Sequence, residues 1–214
     1  RWVLVTHTHP DHSPAAMPLA VRTGAEVLGL PAPEHGPQDS SFRPTRLLHD
    51  GDTLETGEFT LEAVHTPGHA SNHLCYRHAG TNWLVTGDHV IDGSTVVINP
   101  PDGDMKQYVE SLQRLRAMHC EALLPGHGER IDDPGRAIDW IIEHRLLRES
   151  RVLAAVQQHP RLTPHELVPY VYQDVSAHLF RLAERSLLAH LLKLEQDGAV
   201  SRHQDAWFAD DGQG

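Results

Sequence analysis

The chain of 214 residues is 39% hydrophobic and carries 18 basic against 29 acidic side chains, a formal net charge of −11. That is enough apolar material for one packed domain with a smaller appendage. No apolar run approaches the roughly 18 residues a membrane span needs, the acidic balance disfavours a surface built to hold polyanions, and the two cysteines, Cys75 and Cys120, supply neither a disulfide framework nor a four-thiolate zinc site.

These features place the chain among globular proteins of the cytoplasm, with both thiols read as buried structural groups. It opens on Arg1, inside what reads as a core strand, so residues are expected before it and a targeting signal there stays open. Trp2-Val3-Leu4-Val5 is that strand. The segment leaving it, His7-Thr8-His9-Pro10-Asp11-His12, organises the rest of the reading. Strand alternation puts His7, His9 and Asp11 on one face, and His12 turns in from the following loop. In a chain with 18 histidines such a pattern arises by chance roughly one time in a hundred, so a metal site is the better reading. Neutral imidazole and carboxylate are donors for Zn²⁺, and so many donors in so short a segment exceed what one tetrahedral ion takes. Two ions are implied.

Ser13-Pro14 reads as the cap and first residue of a helix that stops at Gly24 and bends at Pro18, its N-terminus facing the metal site. A strand over 25–30 follows, then a proline-rich exposed loop over 31–44, either a rim of the site or plain surface. Asp50-Gly51-Asp52 is a turn, 59–64 an alternating strand, and Thr66-Pro67-Gly68 a tight turn delivering His69. His65 reads as structural, and His73 as a substrate-binding donor or as a support packed beside the site. Strands over 74–77 and 83–86 form a hairpin ending at Asp88, a carboxylate that is costly at the end of a buried strand unless paired or metal-bound. Asp102 and Asp104 read as solvated turn carboxylates before a helix over 105–119, whose stripe Tyr108, Val109, Leu112, Leu115 and Met118 is core. A strand over 121–124 leads to Pro125-Gly126-His127-Gly128. A long helix from Asp133-Pro134 to about 159 buries Ile138, Ile141, Ile142, Leu146 and Leu147 and links two domains, 1–147 and 148–214. Beyond it lie a capping box at Thr163-Pro164-His165-Glu166, leucine-rich helices over 176–196 with a stop at Gly198, and a small hairpin over 199–209.

The His7–His12 motif, with Thr66-Pro67-Gly68-His69, Thr86-Gly87-Asp88 and Pro125-Gly126-His127-Gly128 in that order, resembles the ligand set of the metallo-β-lactamase fold hydrolases over residues 1–147. The resemblance implies an α/β fold, the αββα sandwich, here without its N-terminal strands. It also implies one ion on His7, His9 and His69, a second on Asp11, His12 and His127, and Asp88 bridging. Ser13-Pro14 stands where those hydrolases usually carry a Gly-Gly pair. Ile142-Glu143-His144-Arg145 and the C-terminal hairpin are similar to the β-lactamase-like protein 2 group, a branch with a glyoxalase II-like core and a winged-helix-like C-terminal domain.

The resemblance implies that a hydroxide shared by two zinc ions, with iron or manganese as alternatives, attacks the substrate, with Asp11 as the catalytic residue that orients this nucleophile and holds the second ion. The substrate expected is a small ester or thioester. The second expectation is single-stranded RNA, as an endoribonuclease of the β-lactamase-like protein 2 type, and the third is a nucleic-acid-binding regulator without catalysis. Acidic residues outnumber basic ones over 148–214, although Arg181 and Arg185 stand one helical turn apart. A lid or homodimer element is the other reading of that domain. β-Lactamases with two zincs usually carry Cys where Asp88 stands, and flavodiiron oxidases carry Glu at the place of His9, so neither activity is expected.

Overall fold

The computed structural model describes residues 1–210. Two sheets face each other. The first is parallel, in the order β1 (Trp2–Leu4), β2 (Glu26–Gly29), β3 (Arg46–Leu47). The second runs β4 (Thr53–Glu55), β5 (Thr60–His65), β6 (Leu74–His78), β7 (Trp83–Gly87), β8 (Ala122–Pro125), antiparallel as far as β7 and parallel from β7 to β8. Alternation in β6 shows why both faces are covered. Leu74 and Tyr76 pack between the sheets with Leu28, Leu48 and Ala63. Cys75 points the other way, into a core shared with Tyr108, Leu112 and Leu115 of α2 (Met105–Ala117) and Ile138 and Ile141 of α3 (Pro134–Gln158). Helix α1 (Ala16–Thr23) covers the first sheet through Ala16 against Val5 and Val27, which completes an αββα sandwich.

Helix α3 continues unbroken into a second core. Its Val152, Ala155 and Val156 pack with α4 (Pro164–Val171), α5 (Phe180–Gln196) and Trp207 of the hairpin β9 (Val200–His203) and β10 (Ala206–Ala209), the arrangement expected of a winged helix. The capping box of α4 is complete: Glu166 N donates to the Thr163 hydroxyl and Thr163 N to the Glu166 carboxylate. Among the described residues no helix is long and apolar enough to cross a membrane.

Several local expectations are corrected. Helix α1 begins at Ala16, not at Pro14, and has no side-chain cap, because the Ser13 hydroxyl donates instead to Asp39 at 2.8 Å. Pro18 falls in the first turn, where its missing N–H has no intrahelical partner to lose. Strands β3 and β4, of two and three residues, are too short to show a period in the sequence. The loop over 31–44 is more than surface: Phe42 is buried, Asp39 N donates to the Thr8 carbonyl and the Thr8 hydroxyl to Gln38, which holds the histidine-rich loop from behind. Asp102 accepts from Ser71 and Gln38, and Asp104 caps α2 by accepting from Gln107 N, so neither is merely solvated. Leu146 and Leu147 are 46% and 55% exposed; the buried face of α3 runs through Ile138, Ile141, Arg145, Arg148 and Val152, with two arginines where a leucine-based stripe was expected.

Arg148 on that face donates to both oxygens of Asp174, at 2.9 and 3.1 Å, and to the Val171 carbonyl, while Arg151 reaches the same carboxylate. Hydrogen bonds from Arg148 hold the Asp174 carboxyl down to about 2, burial opposing. A depressed carboxylate stabilises the fold above its ordinary value near 3.8, and that contribution is lost as pH falls through about 2. Asp174 is half exposed, which discounts the effect to about 1 kcal/mol. Urea titrations should therefore find Asp174→Asn less stable than wild type at neutral pH, with the gap closing between pH 4 and pH 2; a gap independent of pH would refute this account. A second expectation concerns Gly68, which has φ +134°, and whose added Cβ would lie 2.3 Å from the Tyr108 Cα. Gly68→Ala should cost about 3 kcal/mol or more in the same titration, and a loss under 1 kcal/mol would show that α2 can shift to make room.

Candidate metal centre

Topology brings the sequence motifs to one edge. Strands β5, β7 and β8 all run in the same direction, so the turns after them emerge together carrying His69, Asp88 and His127. The segment after β1 is tied to the same sheet: Leu74 N donates to the Thr6 carbonyl at 2.7 Å and the Tyr76 hydroxyl to that of Val5 at 2.6 Å. His7, His9, Asp11 and His12 therefore meet residues more than fifty positions away. Gly126 makes the approach close, since a Cβ there would lie 2.8 Å from Asp88 Oδ1 and 2.9 Å from the His12 ring.

Three imidazoles form the first group. His7 Nε2 and His69 Nε2 each lie 3.0 Å from His9 Nδ1. A tetrahedral ion with Zn–N bonds of about 2.0–2.1 Å separates its nitrogens by about 3.4 Å, so the triangle is close to the spacing one ion needs. His69 Nδ1 lies 2.9 Å from the Val97 carbonyl, which only accepts, so in the neutral ring the proton sits there and Nε2 presents a lone pair. Burial, then the nearby His9, brings His69 down to about 4, and burial together with the surrounding imidazoles lowers His7 further. His9 is also lowered, by burial, with Asp102, Asp88 and Asp11 opposing. The rings are thus neutral at pH 7, the form that binds metals.

Asp11, His12 and His127 form the second group. Asp11 Oδ2 lies 3.2 Å from His127 Nε2 and 3.6 Å from His12 Nε2. Asp88 stands between the groups: Oδ1 is 3.3 Å from His12 Nε2 and 3.5 Å from His127 Nε2, and Oδ2 is 3.8 Å from His69 Nε2. His12 Nε2 and Asp88 Oδ1 are buried, and among the described residues neither has a hydrogen-bond partner of sound geometry. Orphaned donors and acceptors facing one another in this way fit a cation between them. Burial opposes charging either group, yet their mutual attraction raises His12 and lowers Asp88 from their ordinary values. The site opens on the Asp11 and His127 side, where these side chains are 60% and 52% exposed.

His73 does not reach the surface of the site. It is fully buried; Asp88 N donates to its Nε2 at 3.2 Å, which leaves the proton on Nδ1, 2.9 Å from the Thr66 hydroxyl. The ring supports the Asp88 backbone rather than offering a donor to solvent. His65 is structural, its ring bonded to the Ser71 carbonyl. Cys75 is buried and its thiol pushed up to about 12 by that burial, so it is inert at neutral pH. Sequence reasoning missed the Val97 carbonyl and the Asn72 amide, which donates to the Thr8 hydroxyl at 2.7 Å, because neither carries a recognisable signal.

Residues 1–127 match the metallo-beta-lactamase superfamily and residues 163–207 the beta-lactamase associated winged helix domain. The chain is 30% identical to a beta-lactamase-like protein 2 homolog of Drosophila melanogaster, over 96% of this chain and 73% of that one. It is 32% identical to the thioesterase pkgB of Emericella nidulans over 73% of this chain and 43% of that protein. The chain spans about two thirds of the length of several other curated relatives it matches. A beta-lactamase domain protein from Burkholderia ambifaria, 22% identical, superposes with a TM-score of 0.81 over 98% of this chain and 74% of that one, which shows the shared fold. With a donor cluster at the sheet edge, both halves matched and relatives of this kind, the chain belongs to the metallo-beta-lactamase superfamily and carries the winged helix domain associated with it.

Proposed function

We propose that this chain is a hydrolase acting on an ester or thioester with two divalent cations, zinc by preference. His7, His9 and His69 would hold one, Asp11, His12 and His127 the other, with Asp88 shared. The observation that carries the reading is Asp88, a carboxylate with one oxygen turned to each donor group and one of those oxygens orphaned. The donors also accept iron or manganese, and elemental analysis decides among them.

When bound, such cations polarise the substrate and acidify a water toward neutral pH. The chain's own residues do the rest. His7 and His69 stay neutral at pH 7, lone pairs forward, because burial disfavours their charging. Asp11 stands at the open side, where its carboxylate orients the attacking water and receives its proton. Thr66 and His73 fix the Asp88 backbone. The thioesterase among the relatives and the acidic balance of the chain support a small acyl substrate over a polyanion. A second reading, single-strand endoribonuclease, is favoured by the exposed Arg181 and Arg185 on α5 and by the beta-lactamase-like protein 2 relative.

One experiment separates these: metal-loaded protein with a thioester panel and with labelled single-stranded RNA, each beside Asp88→Ala. Thioester turnover should fall at least about 100-fold in the variant, with less metal retained per chain. Unchanged turnover and metal content would defeat the reading. RNA cleavage alone selects the nuclease, and RNA binding without cleavage selects a regulator. His73→Phe should lower kcat by about 10- to 100-fold with KM little changed; a rise in KM at constant kcat would instead make His73 a substrate contact.

A further inference from the structure

The buried face of α3 borders a cavity of about 340 Å³ between the sandwich and the winged helix, lined by residues 94–97, His144, Arg145, Arg148 and Tyr172. The two arginines are held differently. Arg148 is neutralised by Asp174, which Arg151 also engages, and lies over the Tyr172 ring at 4.4 Å. Arg145 is only 4% exposed, yet among the described residues it forms no ion pair; its Nη2 donates to the Val96 carbonyl and its Nε has no partner. A guanidinium cannot shed its charge, so burying it uncompensated is costly. The Tyr108 ring lies 5.4 Å from its guanidinium carbon, and its charge also reaches His144, Tyr172 and His190, none of them an anion at neutral pH.

Other groups around the cavity are equally unfinished. Among the described residues the Tyr172 hydroxyl and His144 Nδ1 are buried without hydrogen-bond partners. Burial, then the Arg145 and Arg148 charges, lowers His144, as expected of a site with positive potential. The cavity also lies close to the metal centre. Val96 accepts from Arg145, and the next carbonyl, that of Val97, accepts from His69. Consecutive carbonyls of one short segment thus join the unpaired cation to a member of the first donor group.

We propose that this cavity binds the anionic end, a carboxylate or phosphate monoester, of a small thiol whose acyl thioester is the substrate. The inference rests on the hydrolase reading for the thioester, while the anion site itself does not require turnover. Its volume suits a small molecule, and a single uncompensated arginine suits one anionic group better than the run of phosphates in a nucleic acid.

The test is calorimetric binding to the metal-loaded full chain of three free thiols: glutathione, with carboxylates; 4′-phosphopantetheine, with a phosphate; and uncharged N-acetylcysteamine, which reports thiol binding at the metals alone. At least one charged thiol should bind about 30-fold or more tightly than N-acetylcysteamine, and which one does so identifies the anion. Arg145→Met should abolish that preference and Arg145→Lys should retain part of it. Tyr172→Phe, which removes only an unpartnered hydroxyl, should weaken it several-fold without changing the melting temperature. Equal affinity for all three thiols, or a preference that survives Arg145→Met, would overturn the proposal. So would a single-stranded tetranucleotide that binds in an Arg145-dependent way while the charged thiols do not. A preference lost in Arg145→Met with no thioester cleaved by wild type would leave the anion site standing and remove the hydrolase reading.

Discussion

A carboxylate only 13% exposed, set between two groups of imidazoles with one oxygen unbonded, is the constraint on which the rest of this structure depends. Isolated, such a charge is expensive to bury. Here its cost is offset by His12 on one side, by the Asp88 amide anchored to His73 behind it, and by a sheet edge rigid enough to keep the neighbouring imidazoles from turning away. His7 and His69 in turn are kept neutral by burial, so the first donor group gathers lone pairs rather than opposing charges.

The architecture follows from that need. Donors delivered by turns after β5, β7 and β8 share an edge because those strands run the same way, and the β1 segment joins them through backbone bonds to β6. Behind the edge a layer of polar side chains stiffens the loops: Thr8, Gln38 and Asn72 on one side, Thr66 and His73 on the other. These contacts use neutral groups, and so they add order without adding charge.

Helix α3 connects this centre to the winged helix. Its first half completes the core beneath the second sheet, its last turns enter the core around Trp207, and Arg145 and Arg148 occupy the stretch between. Arginine is suited to that boundary, since its stem packs like a hydrophobe and its head seeks acceptors from either side. Arg148 finds them in the winged helix domain, and Arg145 finds one in the loop that also holds His69.

The sequence by itself determined the order of the longer elements and the residues gathered at the sheet edge. Their signals are local: imidazoles and carboxylates just past apolar strands, glycines and prolines in the turns between, and the capping box before α4. Tertiary structure alone decided the rest. Strands β3 and β4 exist through pairing rather than periodicity, and Ser13 bonds Asp39 instead of capping a helix because the proline-rich loop folds back over it. Leu146 and Leu147 face outward while two arginines are buried, since the orientation of α3 is set by two cores at once. The sequence leaves His73 open between a substrate-binding donor and a support beside the site, and the fold buries it behind Asp88. A side chain's chemistry is written in its residue type, but whether it meets water, a partner or an ion depends on contacts with residues far away in the chain.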